Sequence, residues 1–265
     1  MINRIDQKFT GLRAGGKRAL IAYISAGDPH LQATRDLAWA LEEAGVDVLE
    51  LGVPFSDPLA DGVVNQLAAA RALAAGTTVA GVLDCVRAIR AKSQLPIVLY
   101  TYLNPIYRYG FPEFHRDAED AGVDGLLILD LPPDEDSQNS ELAQQTNLKR
   151  IRLIAPTTPD PRIAQLTRDA GGFIYYVSRE GVTGERAEVA SSLPERVNAI
   201  RATTALPIAV GFGISNPDHV RQVAQHADGI VVGSAIVKRI AEFGQSPDLV
   251  ARLADFVRPL AAEAH

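Results

Sequence analysis

This sequence predicts a (β/α)8 barrel, on three observations. The chain has 265 residues, close to the about 250 that such a barrel uses as one unit. Eight short runs rich in β-branched, aromatic and leucine residues recur along it, separated by segments of helical periodicity. The runs are near-continuously apolar rather than alternating, as parallel strands covered on both faces are.

The elements follow in order. Residues 2 to 14 form a helix that caps the bottom of the barrel. The strand runs are "ALIAYIS" from Ala19, "VLELGV" from Val48, "PIVLYTY" from Pro96 and "GLLILDL" from Gly125. Then come "RIRLIAP" from Arg150, "FIYYVS" from Phe173, "PIAVGF" from Pro207 and "GIVVGS" from Gly229. Between them lie amphipathic segments such as "LQATRDLAWALEEAG" from Leu31 and "VAGVLDCVRAIRAK" from Val79. Asp-Pro and Asn-Pro pairs suit helix starts. An open doubly wound sheet is the rival fold, but no G-x-G-x-x-G follows the first strand. With no linker and no low-complexity stretch, residues 1–265 read as a single domain.

Hydrophobic residues make up 47% and charged residues 22%, with a net charge of −6. That composition supplies a sizeable core and argues against nucleic acid or an anionic membrane as the main partner. The most basic stretch, "LKRIR" from Leu148, reads as a solvated strand edge. Cys85 is alone, so no disulfide forms within the chain, and its apolar-periodic surroundings make it a packing residue on a helix face. No apolar run reaches the about 18 residues of a membrane span, and no apolar leader is visible. A cytoplasmic location is the expectation.

The stretch "LELGVPFSDPLADG" from Leu49 carries the first chemical signal. Glu50 lies near the end of the second strand, where barrels place catalytic groups. With period two, Val48, Glu50 and Gly52 share one face, and Leu49 and Leu51 share the other. Glu50 then points into the barrel mouth. Either it is a general acid–base group with a pKa raised by burial, or a structural carboxylate paired with an Arg or Lys. Asp61 follows in the next loop, and two carboxylates in different environments can divide proton work. Asp57 is a third carboxylate, in ordinary Ser-Asp-Pro turn chemistry.

A second signal lies at the other end of the chain. "GFGIS" from Gly211 and "GSAI" from Gly233 follow the seventh and eighth strands. Those loops and a helix N-terminus form the anion site of phosphate-binding barrels, where glycines let backbone N–H groups approach. Ser234 adds a hydroxyl. The alternative is that the glycines serve tight turns. "SREGVTGERA" from Ser178 suits either a lid over a phosphorylated substrate or a plain loop. The five histidines, His30, His115, His219, His226 and His265, show no metal-ligand spacing. What remains is cofactor-free acid–base chemistry on a phosphorylated small molecule.

These motifs, with "SAGDP", "TYLNPIYRYG", "LLILDLPPDE", "LIAPTTP" and "YYVSREGVTG" in the same order, resemble the tryptophan synthase alpha chain family over essentially the whole chain. The resemblance implies reversible retro-aldol cleavage of indole-3-glycerol phosphate to indole and glyceraldehyde 3-phosphate. It implies that Glu50 protonates indole C3 and handles the glycerol hydroxyl proton. Asp61 would take the indole N–H and stabilise a cationic indolenine. Tyr175 would be the active-site tyrosine and Thr183 the lid residue that meets Asp61. Gly184, Gly213, Gly233 and Ser234 would hold the phosphate, and Tyr23, Tyr100 and Phe212 would line the indole pocket.

The resemblance also implies an α2β2 assembly with a beta chain that carries pyridoxal phosphate, the alpha chain holding no cofactor. Pro54, Asp57, Pro58, Asn104, Asp130 and Pro132 match positions at or near that contact. One departure stands out in "ADGVVNQ". Val63 replaces a usual proline, which frees φ and adds a backbone donor. Asn65 stands where the family usually has an apolar residue, which puts a polar group near the indole ring.

Overall fold

The computed structural model describes residues 2–177, 192–211 and 213–265. Among the described residues, nine parallel strand segments form one sheet: β1 (Ala19–Ser25), β2 (Val48–Gly52), β3 (Ile97–Thr101), β4 (Gly125–Ile128), β5 (Lys149–Arg150), β6 (Arg152–Ile154), β7 (Ile174–Val177), β8 (Ile208–Gly211) and β9 (Gly229–Val232). Their order is β5-β4-β3-β2-β1-β9-β8-β7-β6. The two ends of that order are halves of one run interrupted at Ile151. β5 pairs with β4 and β6 pairs with β7. The Ile151 N–H donates to Leu126 O at 2.9 Å, so the sheet closes through this residue. All eight expected runs carry strand, and the fifth carries two pieces.

Helices fill the connections, as the right-handed parallel crossover requires. The first helix runs Arg4–Ala14, two residues later than expected, because Asn3 is its cap. The Asn3 side chain accepts from the Ile5 N–H at 2.9 Å. Its amide donates to Asp124 O at 2.9 Å and Asn147 O at 2.7 Å, which anchors the helix under the barrel. Among the described residues, no single helix is long and apolar enough to cross a membrane.

The period-two expectation for the second strand holds, and the same alternation recurs around the barrel. Inward residues Ile21, Val48, Val98, Leu127, Ile151, Phe173, Ala209 and Val231 pack with Ile5 and Phe9 from the capping helix as a dry plug. Outward residues such as Leu20, Leu49, Leu51, Leu99 and Val210 pack against the helices, and Cys85 joins that outer core. Each such fully buried aliphatic side chain contributes about 1.5–3 kcal/mol.

The "LKRIR" stretch is not a solvated edge. Ile151 faces the plug, so Arg150 and Arg152 point outward into the shell between sheet and helices. There the buried Asp136 pairs with Arg152, and Arg150 donates to Ser140 Oγ at 2.8 Å. A charge run whose partner lies 14 to 16 residues upstream looks exposed in sequence and is paired in the fold.

Candidate active site

Two residues beyond the plug, each strand presents a second inward layer. It holds Tyr23, Glu50, Tyr100, Leu129, Leu153, Tyr175, Gly211 and Gly233, and these line a cavity of about 370 Å³ at the C-terminal mouth. The plug forms its floor. Asp61, Asn65, Gly213 and Ser234 join from the loops and helix starts above.

Glu50 is 1% exposed, and its Oε1 is buried with no hydrogen-bond partner. No Arg or Lys pairs with it among the described residues, so the structural ion-pair reading fails. Burial alone pushes its carboxyl up to about 8. A proton is therefore held there at neutral pH.

Asp61 is also buried, at 6% exposure, but it is surrounded by donors. Tyr100 Oη donates to Oδ1 at 3.1 Å, Tyr102 Oη to Oδ2 at 2.9 Å, and Asn65 Nδ2 to Oδ1 at 3.5 Å. Burial raises its pKa, and the three donors work against that shift. The loop is held in place as well. The Asp61 N–H donates to Pro58 O at 3.0 Å, and Gln66 Nε2 donates to Asp61 O at 2.9 Å. Val63 opens the helix Val63–Ala74 at the position a proline would take.

Tyr102 was not among the expected site residues. It lies just past β3 and is 4% exposed. Its hydroxyl accepts the Ala60 N–H at 3.0 Å while donating to Asp61, which ties the loop to the strand end. Its signal in the sequence was period two: Tyr100 and Tyr102 share a face.

Two glycines make room for the tyrosines. Tyr23 and Glu50 are register partners, and Gly52 lies two residues on. A Cβ on Gly52 would strike the Tyr23 hydroxyl. Tyr175 and Ala209 are partners, and Gly211 stands in the same relation, with the Tyr175 hydroxyl in its space. Tyr23 meets Tyr100 edge-on, with ring centroids 5.0 Å apart.

On the opposite rim, Gly213 adopts φ +67°, a conformation open to glycine. Gly233 caps the helix Ser234–Phe243, whose first turn has no side-chain cap. Both glycines and Ser234 line the cavity, so a helix N-terminus meets it. Thr183, Gly184 and Phe212 lie outside the described residues. Asp57 is exposed, away from the cavity, and takes the Ser56 hydroxyl. Asn104, Asp130 and Pro132 are exposed, Pro58 is half-buried and Pro54 is buried. Among the described residues, no group of three or more His, Cys, Asp or Glu is placed to hold a metal.

Comparison with known proteins gives the family. The family profile described as "Tryptophan synthase alpha chain" matches residues 9–265. The chain belongs to the tryptophan synthase alpha chain family. The alpha chain of Opitutus terrae is 52% identical over 262 residues, covering 98% of each chain. That of Geobacter sulfurreducens is 49% identical over 259 residues, again 98% of each. The tryptophan synthase subunit alpha of Legionella pneumophila str. Paris superposes with a TM-score of 0.89 at 38% identity, covering 100% of this chain and 99% of the other. A Mycobacterium tuberculosis tryptophan synthase structure gives 0.92 at 37% identity, with the same coverage. Alpha chains are lyases of tryptophan biosynthesis that cleave indole-3-glycerol phosphate.

Proposed function

We propose that Glu50 and Asp61 carry the proton chemistry of this alpha chain, the reversible cleavage of indole-3-glycerol phosphate to indole and glyceraldehyde 3-phosphate. The observation that carries the reading is that two buried carboxylates face one cavity in opposite environments.

Glu50, holding its proton, delivers it to indole C3. The ring becomes a cationic indolenine, and its N–H faces the Asp61 carboxylate, whose charge is placed where positive charge develops. The Glu50 carboxylate then takes the proton of the hydroxyl on the side-chain carbon next to the ring. The C–C bond breaks, its electron pair returns to the ring, and the aldehyde forms. Glu50 ends protonated, ready for another turnover.

Tyr23, Tyr100, Leu129 and Leu153 enclose the ring, and Tyr175 stands beside them. Gly233 and Ser234, at the uncapped helix start, and Gly213, from the loop after β8, receive the phosphate, supported by their place in the cavity lining. Gly184, Thr183 and Phe212 complete the site in this reading, on sequence alone.

Indole passes to a beta chain, which supplies pyridoxal phosphate; the alpha chain needs no cofactor. An α2β2 assembly and a cytoplasmic setting belong to the same reading, supported by family membership. The exposed Leu59, Val63, Leu67 and Tyr107 support a partner at the mouth.

The test is cleavage of indole-3-glycerol phosphate by the purified chain, with and without a tryptophan synthase beta chain. Glu50→Gln and Asp61→Asn are each expected to lose at least about a hundredfold, the scale of acid–base terms, with the fold retained by circular dichroism. Near-normal turnover in Glu50→Gln removes the assignment.

A further inference from the structure

Asp61 is almost fully buried, and no cation pairs with it among the described residues. A carboxylate so placed favours its neutral form unless hydrogen-bond donors hold the charge. Three donors converge on it, from two elements. Tyr100 is on β3, Tyr102 just follows it, and Asn65 comes from the first turn of the helix Val63–Ala74.

The Asn65 contact has a fixed sense. A carboxylate only accepts, so the amide nitrogen must face Asp61. Its oxygen is left buried with no partner. An orphaned buried acceptor is destabilising, and an apolar residue of the same size would avoid it. The amide is thus held in an otherwise unfavourable place by what its nitrogen does. Tyr100 stays a donor for a related reason: burial first, and then the Asp61 charge, hold its hydroxyl well above the ordinary tyrosine range.

We propose that Tyr100 and Asn65 are positioning residues of the cleavage reaction, which together with Tyr102 keep the Asp61 carboxylate ionised and oriented for the substrate nitrogen. This rests on the reading that Asp61 serves the indole N–H. Tyr100 then does more than wall the ring pocket, and the polar Asn65 is part of the acid's setting. Among the described residues, three donors occupy three of the about four lone-pair sites of this carboxylate. Among the described residues, the remaining titratable groups around Asp61 are Glu50 on β2, Tyr23 on β1 and Tyr175 on β7. None of them is a cation, so the donors are what offset the burial.

The experiment is the pH profile of kcat/KM for indole-3-glycerol phosphate cleavage between about pH 5 and 9, using the full chain saturated with a beta chain. Wild type is compared with Tyr100→Phe, Asn65→Leu, the double variant and Asp61→Asn. Tyr100→Phe keeps the ring and removes only the donor. Its acidic limb is expected to move up by about one pH unit, the scale of one donor to a charged acceptor. Asn65→Leu, losing the longer bond, is expected to move it less, and the double variant more. The ratio of variant to wild-type rate is expected to rise from pH 5 toward pH 8, on top of whatever fixed loss the altered pocket wall brings. Asn65→Ala, which adds no bulk, is expected to match Asn65→Leu. A uniform loss at every pH, or an unmoved limb, overturns the proposal while Asp61→Asn still abolishes turnover. Turnover that persists in Asp61→Asn overturns the site reading and the proposal with it.

Discussion

Glu50 and Asp61 face one cavity, yet Glu50 Oε1 has no hydrogen-bond partner and Asp61 has three donors. Burial acts on both carboxylates in the same direction. The donors decide the difference. One group is left holding a proton at neutral pH, and the other is steadied as an anion.

The proton on Glu50 has a stability consequence. In the unfolded chain it leaves near 4.5, and in the fold near 8. Between those values the folded state binds more protons, so stability falls as pH rises. The penalty is absent below about 4.5 and full above about 8. Glu50→Gln removes it. In thermal melts the variant is expected to exceed wild type by at least about 4 °C at pH 8.5, with the gap nearly closed at pH 4.5. A gap that ignores pH contradicts a buried neutral Glu50. Cleavage by wild type should also decline above pH 8, as the initial proton is lost.

Gly211 admits the Tyr175 hydroxyl. Gly211→Ala is expected to displace it and lower kcat/KM by about tenfold or more. Adding Tyr175→Phe removes the closest contact and leaves ring carbons at 3.0 and 3.1 Å, so the double variant should lose less than the two single losses combined. The measurement is a double-mutant cycle on kcat/KM. Strict additivity of the two losses rules out a shared space.

At the other end of the barrel, Asp124 is buried and receives Arg90 Nη2 at 2.7 Å, Arg4 Nη1 at 2.9 Å and the Ile97 N–H at 2.8 Å. Conservation of shape without charge, as in Arg90→Met, leaves part of this carboxylate uncompensated. A loss of about 3 kcal/mol in urea unfolding is expected. Activity per folded molecule should be unchanged, since the bottom of a barrel serves stability.

Cys85 is 6% exposed, and burial pushes its thiol up to about 11. It should ignore a thiol reagent at pH 8 in the native chain and react fully in denaturant. Rapid native labelling would show that the outer core opens there.

The architecture was readable because eight near-continuously apolar runs recur between segments of helical periodicity, and one carboxylate breaking such a run marked Glu50. Asp61 was readable only as a loop acid, since its position depends on a turn. Tyr102 alternates with Tyr100, but it escaped notice because it lies one residue past the end of β3. Asn65 looked like a mere polar intrusion, because its partner Asp61, four residues earlier, sits in a turn whose direction the sequence does not give. Arg152 was misjudged for the same reason: sequence shows a charge but not the partner that folding brings to it.

The joint at Ile151 divides the labour of the walls. β1 and β2 share five register pairs, whereas β4 and β5 share two, and β6 and β7 share three. Glu50 stands on the long ladder, and Leu153 stands on the short one beside the joint. Amides on the proton-handling side of the cavity are therefore expected to exchange more slowly than those on the greasy side. A rigid jaw sets distances for the chemistry, while a compliant one yields to a flat ring as it arrives and leaves.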